Sequence, residues 1–287
     1  MSSLAVVTDS IAGLPETILH TLKIKVVAYY IHRGGEVLRD LVSIQRDEFL
    51  RWLPTAREAP TTAAPGPGDY LSTYEAAADE GADEIISIHM SSRISSAYES
   101  ARVAQSMLRD RRPGVEMEII DSRNAALCQG WMVIEAARGA LEGCGLAEVA
   151  RRVKKLIPVS QMIQTADTLR YLYLGGRIGK AQSLFGSLLN IKPLIGLEDG
   201  EIVPLGKTHS RRQAYAAMAE MVATAVGRGK IRMGYVHAGA LNEVQKLKEL
   251  VERRVRVVES IIGELSPALS VHTGPGMTGV CYHLVEE

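Results

Sequence analysis

The chain has 287 residues, of which 46% are hydrophobic, and its 33 Lys and Arg balance 33 Asp and Glu. That length suggests two domains, the composition is that of a folded globule, and zero net charge argues against nucleic acid or another polyanion as partner. Aromatic residues make up only 5%, so the core must be mainly aliphatic and base stacking is poorly provided for.

From the first residue, residues 4–8 form an apolar run that stops at Asp9-Ser10, as a buried strand entering a loop does. Pro15 opens a helix to residue 22. Residues 25–32 read as one strand, and Arg33-Gly34-Gly35-Glu36 as a hairpin turn. A helix over 43–53 is expected, capped by Ser43. A Thr-, Ala-, Pro- and Gly-rich loop follows over 60–68, then a helix over 69–80. The pattern repeats with a strand at 84–89, a Ser-rich loop at 90–96, a helix at 97–109, a strand at 115–121 and a long helix at 125–142. Strands alternating with helices imply parallel pairing, and ligands collect beyond the carboxyl ends of such strands. Asp9-Ser10, Ser91-Ser92 and Asp121-Ser122 all fall at such ends.

The second half differs. Helices are expected at 146–155, 169–174, 208–226 and 241–251, and extended segments at 161–166, 230–236, 255–262 and 280–285. Asp199-Gly200, set between apolar runs over 191–205, signals a hairpin. The expected architecture is therefore α/β in two domains: an N-terminal, mostly parallel α/β/α sandwich over 1–157, and a C-terminal α/β domain with a mixed, largely antiparallel sheet over 158–287.

The opening MSSLAVVTDS carries no secretory pattern, and no apolar run reaches the roughly 18 residues of a membrane span. Three cysteines without CxxC spacing fit a reducing cytoplasm. The seven histidines show no metal-ligand spacing, so neither a metal nor a cofactor is expected.

Four clusters could carry chemistry. Thr61 and Thr62 offer hydroxyls, which could equally satisfy their own turn. Ser91, Ser92, Ser95 and Ser96 precede a helix whose free N–H groups would suit a carboxylate or phosphate; plain N-capping is the bland reading. Arg177, among Gly175, Gly176 and Gly179, could hold an anion bidentately. His272-Thr273-Gly274-Pro275-Gly276 is read as a polar turn in which His272 donates to an acid. No GxSxG elbow surrounds any serine.

Several ordered motifs span the chain: Val7-Thr8-Asp9-Ser10 with Leu14-Pro15, Thr62 to Pro65 with Pro67-Gly68-Asp69, and Ser91-Ser92 with Ser95 and Tyr98. Asp121-Ser122, Gly175-Gly176-Arg177-Ile178, Leu188 to Pro193, Asp199-Gly200 and His272 to Gly276 continue the series. Together they resemble the DegV family of bacterial fatty-acid-binding proteins, which includes the lipid-binding subunits of fatty-acid kinase. The resemblance implies one long acyl chain, such as palmitate, stearate or oleate, in a buried tunnel. Its carboxylate contacts would fall to Thr62, Ser95 and His272, with Ser91, Ser92, Arg177 and Thr273 around them. It also implies a protein without turnover of its own that presents the acid to a separate ATP-dependent kinase subunit, and at most transient contact with a membrane. Two departures stand out. Ala63-Ala64 replace the family's Ser-Gln after Thr62, and Ser96-Ala97 replace Gly-Thr after Ser95, which removes one possible head-group hydroxyl. A serine esterase using Ser95 and His272, or a regulatory module with an occluded cavity, are the competing readings.

Overall fold

A computed structural model describes residues 3–184 and 191–285. The first half runs β1 (Leu4–Asp9), α1 (Glu16–Thr21), β2 (Lys25–Val27), β3 (Tyr30–Arg33), β4 (Glu36–Arg39), α2 (Arg46–Trp52) and β5 (Thr61–Ala63). It continues through α3 (Pro67–Asp79), β6 (Glu84–His89), α4 (Ala97–Arg111), β7 (Glu116–Asp121), α5 (Ala126–Leu141) and α6 (Leu146–Leu156). The second half comprises β8 (Gln161–Thr165), α7 (Arg170–Leu174), β9 (Lys192–Glu198), β10 (Glu201–Thr208) and α8 (Arg211–Val226). After these come β11 (Lys230–His237), α9 (Leu241–Glu252), β12 (Arg256–Glu264), α10 (Pro267–Thr273) and β13 (Thr278–Leu284). Leu188–Asn190 of the sixth motif lie outside the described residues.

Three sheets form. The order β2-β1-β6-β7 is wholly parallel, and Ile85, Ile86 and Ile88 of β6 are completely buried, as expected of a strand covered on both faces. The order β10-β9-β8-β13-β11-β12 is antiparallel except for the β11–β12 pair. Asp199 and Gly200, both at positive φ, close the β9–β10 hairpin in two residues, the geometry that favours Gly there. The α/β class with one parallel and one mixed, largely antiparallel sheet is therefore what the alternation of elements implied.

Helix α5 joins the two large sheets. It is apolar almost all round, with Leu127, Met132, Val133 and Ala136 fully buried, and it packs on β1 and β6 as well as on β11 and β13. A helix buried on every side belongs inside a layered core. Its close approach to the second sheet depends on Gly234, where an added Cβ would lie 2.7 Å from that of Leu127.

The local readings need four corrections. Residues 25–32 are two strands in two sheets, because the Tyr29 backbone leaves the ladder: its N–H donates to the Ser10 hydroxyl (3.1 Å) and its carbonyl accepts from Asp40 N–H (2.9 Å). The 60–68 loop contains β5, which pairs Thr62 with Ile31 in the third, antiparallel sheet β4-β3-β5. Ser43 caps no helix; it bonds the Arg39 backbone, and α2 starts at Arg46. His272 and Thr273 end a helix rather than sit in a turn, since the Ser266 hydroxyl caps α10, Pro267 occupies its first turn and Gly274 stops it.

Candidate functional site

Where the segments beyond the carboxyl ends of β1, β6 and β7 meet the second large sheet and α10 lies a cavity with about 880 Å³ of empty space, counting the part continuous with solvent. Its wall is mainly aliphatic: Ile11, Met90, Ile94, Met162, Leu265 and Leu269 contribute, with Ile195, Leu197 and Ile202 from the second sheet. Against this wall stand eight polar side chains, Tyr29, Thr62, Ser95, Ser96, Gln164, Arg177, His272 and Thr273. An apolar pocket with a few convergent polar groups is the usual form of a small-molecule site.

The polar groups are organised in two pairs. Thr62, the middle residue of β5, places its hydroxyl 2.8 Å from His272 Nε2 in the last turn of α10. The other ring nitrogen, His272 Nδ1, is buried and has no protein partner. Burial, and then the nearby Arg177 charge, hold the His272 pKa down at about 4, so the imidazole is neutral near pH 7. A neutral imidazole carries one N–H, and with the Thr62 hydroxyl the pair holds two protons. One is spent on their mutual hydrogen bond. The second remains to be donated, whichever tautomer is present.

In the second pair, the Tyr29 and Ser95 hydroxyls lie 2.6 Å apart. Ser95 Oγ also accepts the Ala97 N–H at 3.2 Å. Arg177 serves both pairs, because its charge acts on His272 and on Tyr29 alike. Its guanidinium donates to the Gly175 carbonyl at 2.7 Å, and among the described residues no carboxylate pairs with it. The site thus presents one spare proton from each hydrogen-bonded pair and a positive charge to whatever enters it.

One buried carboxylate holds both pairs in place. Asp40, 1% exposed, accepts from the Ser10 hydroxyl (2.6 Å), which itself receives the Tyr29 N–H. Its other oxygen accepts the Ala268 N–H (3.0 Å) in the first turn of α10. The strand switch bearing Tyr29 and the helix bearing His272 therefore hang from the same group. Burial raises the Asp40 pKa to about 6 against the hydrogen bonds that favour its charged form.

Of the residues singled out from the sequence, Thr62, Ser95, Arg177, His272 and Thr273 reach the cavity wall. Thr273 spends its hydroxyl on the Leu269 carbonyl. Ser91 and Ser92 do not reach it. The Ser91 hydroxyl donates to the Gly200 carbonyl (2.8 Å), tying the 90–96 loop to the β9–β10 hairpin, and the Ser92 hydroxyl donates to Asp121 (2.6 Å). Nor does the structure pair Ser95 with His272, as an esterase would require: Ser95 bonds Tyr29 and His272 bonds Thr62. Among the described residues no three His, Cys, Asp or Glu are grouped to hold a metal, and no helix is long and apolar enough to cross a membrane. Tyr29 and Asp40 escaped the sequence reading, because only the fold shows that a strand breaks at one and that the other is buried.

The family model for uncharacterised DegV proteins matches residues 3–284. The chain belongs to the DegV family. Among its relatives, a DegV domain-containing protein of Halalkalibacterium halodurans is 32% identical over 285 residues, covering 99% of each chain. One from Caldanaerobacter subterraneus is 30% identical over 283 residues, covering 98% of this chain and 99% of its own. Among solved structures, a fatty-acid-binding DegV protein of Thermus thermophilus superposes with a TM-score of 0.92 at 30% identity, covering 99% of this chain and 100% of that one. DegV of Bacillus subtilis, described as a fatty acid binding protein, does so at 0.85 and 27% over 99% and 100%. This DegV protein thus shares its whole architecture with proteins that bind fatty acids.

Proposed function

We propose that this DegV protein binds one long-chain fatty acid, such as palmitate, stearate or oleate, and does so without catalytic turnover of its own. The observation that carries the reading is the convergence of two hydrogen-bonded donor pairs and an Arg charge on an aliphatic cavity, in a chain whose relatives bind fatty acids. The carboxylate is assigned to Thr62, Ser95 and His272, with Arg177 beside them; Thr273 supports the wall, and Ser91 and Ser92 act only by shaping the loop. The chain divides near residue 157, with the acid lying between the two domains.

The energetics favour this division of labour. Each buried methylene contributes about 0.8 kcal/mol, so a sixteen-carbon tail supplies roughly 10 kcal/mol of gross transfer energy before ordering costs. The tail sets affinity, and the polar cluster sets orientation. Arg177 lines the cavity yet is exposed, which supports its role in presenting the bound head group to a separate, cytoplasmic ATP-dependent kinase subunit. Solvent extraction and mass analysis of protein purified without added lipid should yield a long-chain acid in near-stoichiometric amount. Protein that repeatedly yields no acyl species, and takes up none on incubation with palmitate, contradicts the reading.

A further inference from the structure

The Tyr29–Ser95 pair has a direction. A hydroxyl has one proton and two accepting lone pairs. Ser95 Oγ already accepts the Ala97 N–H at 3.2 Å, and the Tyr29 oxygen lies 2.6 Å away. The phenol is the far stronger acid of the two hydroxyls and so the better donor, and Ser95 Oγ is a closer and stronger acceptor for it than Met90 Sδ at 4.0 Å. Burial, with Asp9 nearby, pushes its pKa further up, so it keeps its proton at every physiological pH. With Tyr29 donating, both lone pairs of Ser95 are occupied and its own proton has no partner in the protein. Rotation is then restricted to the one remaining direction, which belongs to the cavity. The tyrosine cannot drift, since its backbone N–H and carbonyl are clamped by Ser10 and Asp40.

We propose that Tyr29 is a positioning residue that locks the Ser95 hydroxyl as a donor toward the head group, making the site favour a head group that accepts from several donors at once. This rests on the fatty-acid reading above and specifies it. Ala97, which stands where a Thr hydroxyl would follow Ser95 in the resembling pattern, is fully buried and supplies no donor; the phenol reaches the same serine from the opposite strand switch. Two protons of these pairs are then left for the ligand, one from Ser95 and one from the Thr62–His272 pair, with the Arg177 charge beside them. An ionised carboxylate accepts from both donors at once and meets the Arg177 charge, whereas a long-chain alcohol brings a single oxygen and no charge.

The test is competition of palmitic acid and of 1-hexadecanol against a fluorescent polyene fatty acid, in the unaltered protein, Tyr29→Phe, Ser95→Ala and the double variant. The unaltered protein should prefer the acid. Tyr29→Phe, which deletes one oxygen, should lower the acid-to-alcohol preference about fivefold, the worth of one ordinary hydrogen bond. In the Ser95→Ala background it should lower it no further, because the phenol acts through that serine. A merely structural role would weaken both ligands together and leave their ratio unmoved. An unchanged ratio in Tyr29→Phe, or losses that add in the double variant, overturns this inference while leaving fatty-acid binding intact. Should Tyr29→Phe fail to fold, an unchanged ratio in Ser95→Ala overturns it equally. An unaltered protein that binds neither ligand overturns the fatty-acid reading and this inference with it.

Discussion

His272 is held neutral in a site built for an anion, and the cost of that arrangement is readable as pH dependence. A histidine whose folded pKa lies near 4, below its unfolded value, contributes stability above pH 6.5 that is lost as pH falls toward 4. His283, buried against Trp131 and also lowered to about 4 by burial first and then Arg232, acts in the same sense. Asp40 acts in the opposite sense. Its folded pKa of about 6 lies above an ordinary 3.8, so its contribution is present below about pH 4 and is lost as pH rises through 6. Between pH 7 and 4.5 each group is worth about 2 kcal/mol, so Asp40 offsets one of the two histidines. Urea unfolding at the two pH values should therefore show a loss on acidification. His272→Gln should shrink that loss by about 2 kcal/mol and Asp40→Asn should enlarge it by a similar amount. Equal slopes in all three proteins would mean that neither group titrates as its surroundings require.

At the scale of elements, the head-group end depends on how closely α7 and α10 approach. The turn after α7 passes so near His272 that a Cβ on Gly175 would lie 2.2 Å from Nδ1. Gly175 has φ −76°, a backbone any residue adopts, so Gly175→Ala tests sterics alone. Overpacking of this kind costs about 1–3 kcal/mol, and here it falls on the orientation of His272. The variant should fold, lose on the order of tenfold in palmitate affinity, and cost nothing further in a His272→Ala background, where the imidazole is already gone; unchanged affinity would show that His272 does not need its present position. The Gly175-Gly176-Arg177 motif was visible in the sequence, but its partner helix was not recognised as one. Ser266-Pro267 at the start and Gly274 at the end are ordinary helix signals, passed over because the intervening residues 267–273 are too few to show a period. Strand β5 was hidden for a similar reason. Three residues with two threonines carry no alternation, and only the third sheet, assembled from residues thirty positions apart, makes them a strand.

At the scale of the whole molecule, the layered fold follows from patterns long enough to read. Ile85, Ile86 and Ile88 of β6 and the all-round apolarity of α5 place these elements between covering layers, and Asp199-Gly200 marks its hairpin without tertiary help. The cavity is different in kind. Ile11, Met162, Ile195 and Leu269 share a wall only because the turn after β1, the strands β8 and β9 and the helix α10 converge, and nothing in their local sequence distinguishes them from ordinary core residues. Neutral overall charge and sparse aromatics agree with this arrangement, since a ligand with a single charge needs a local cluster of donors and no global field, and a flexible chain needs aliphatic walls. The central claim is one of placement: a fatty acid with its tail among those aliphatic groups and its carboxylate at the paired hydroxyls. A crystal structure of the protein with palmitate tests it most directly. Carboxylate oxygens should lie within about 2.6–3.2 Å of Ser95 Oγ and of Thr62 Oγ1 or His272 Nδ1, with the tail along the aliphatic wall of the cavity. A palmitate bound in the reverse sense, or seated outside this cavity, would contradict it.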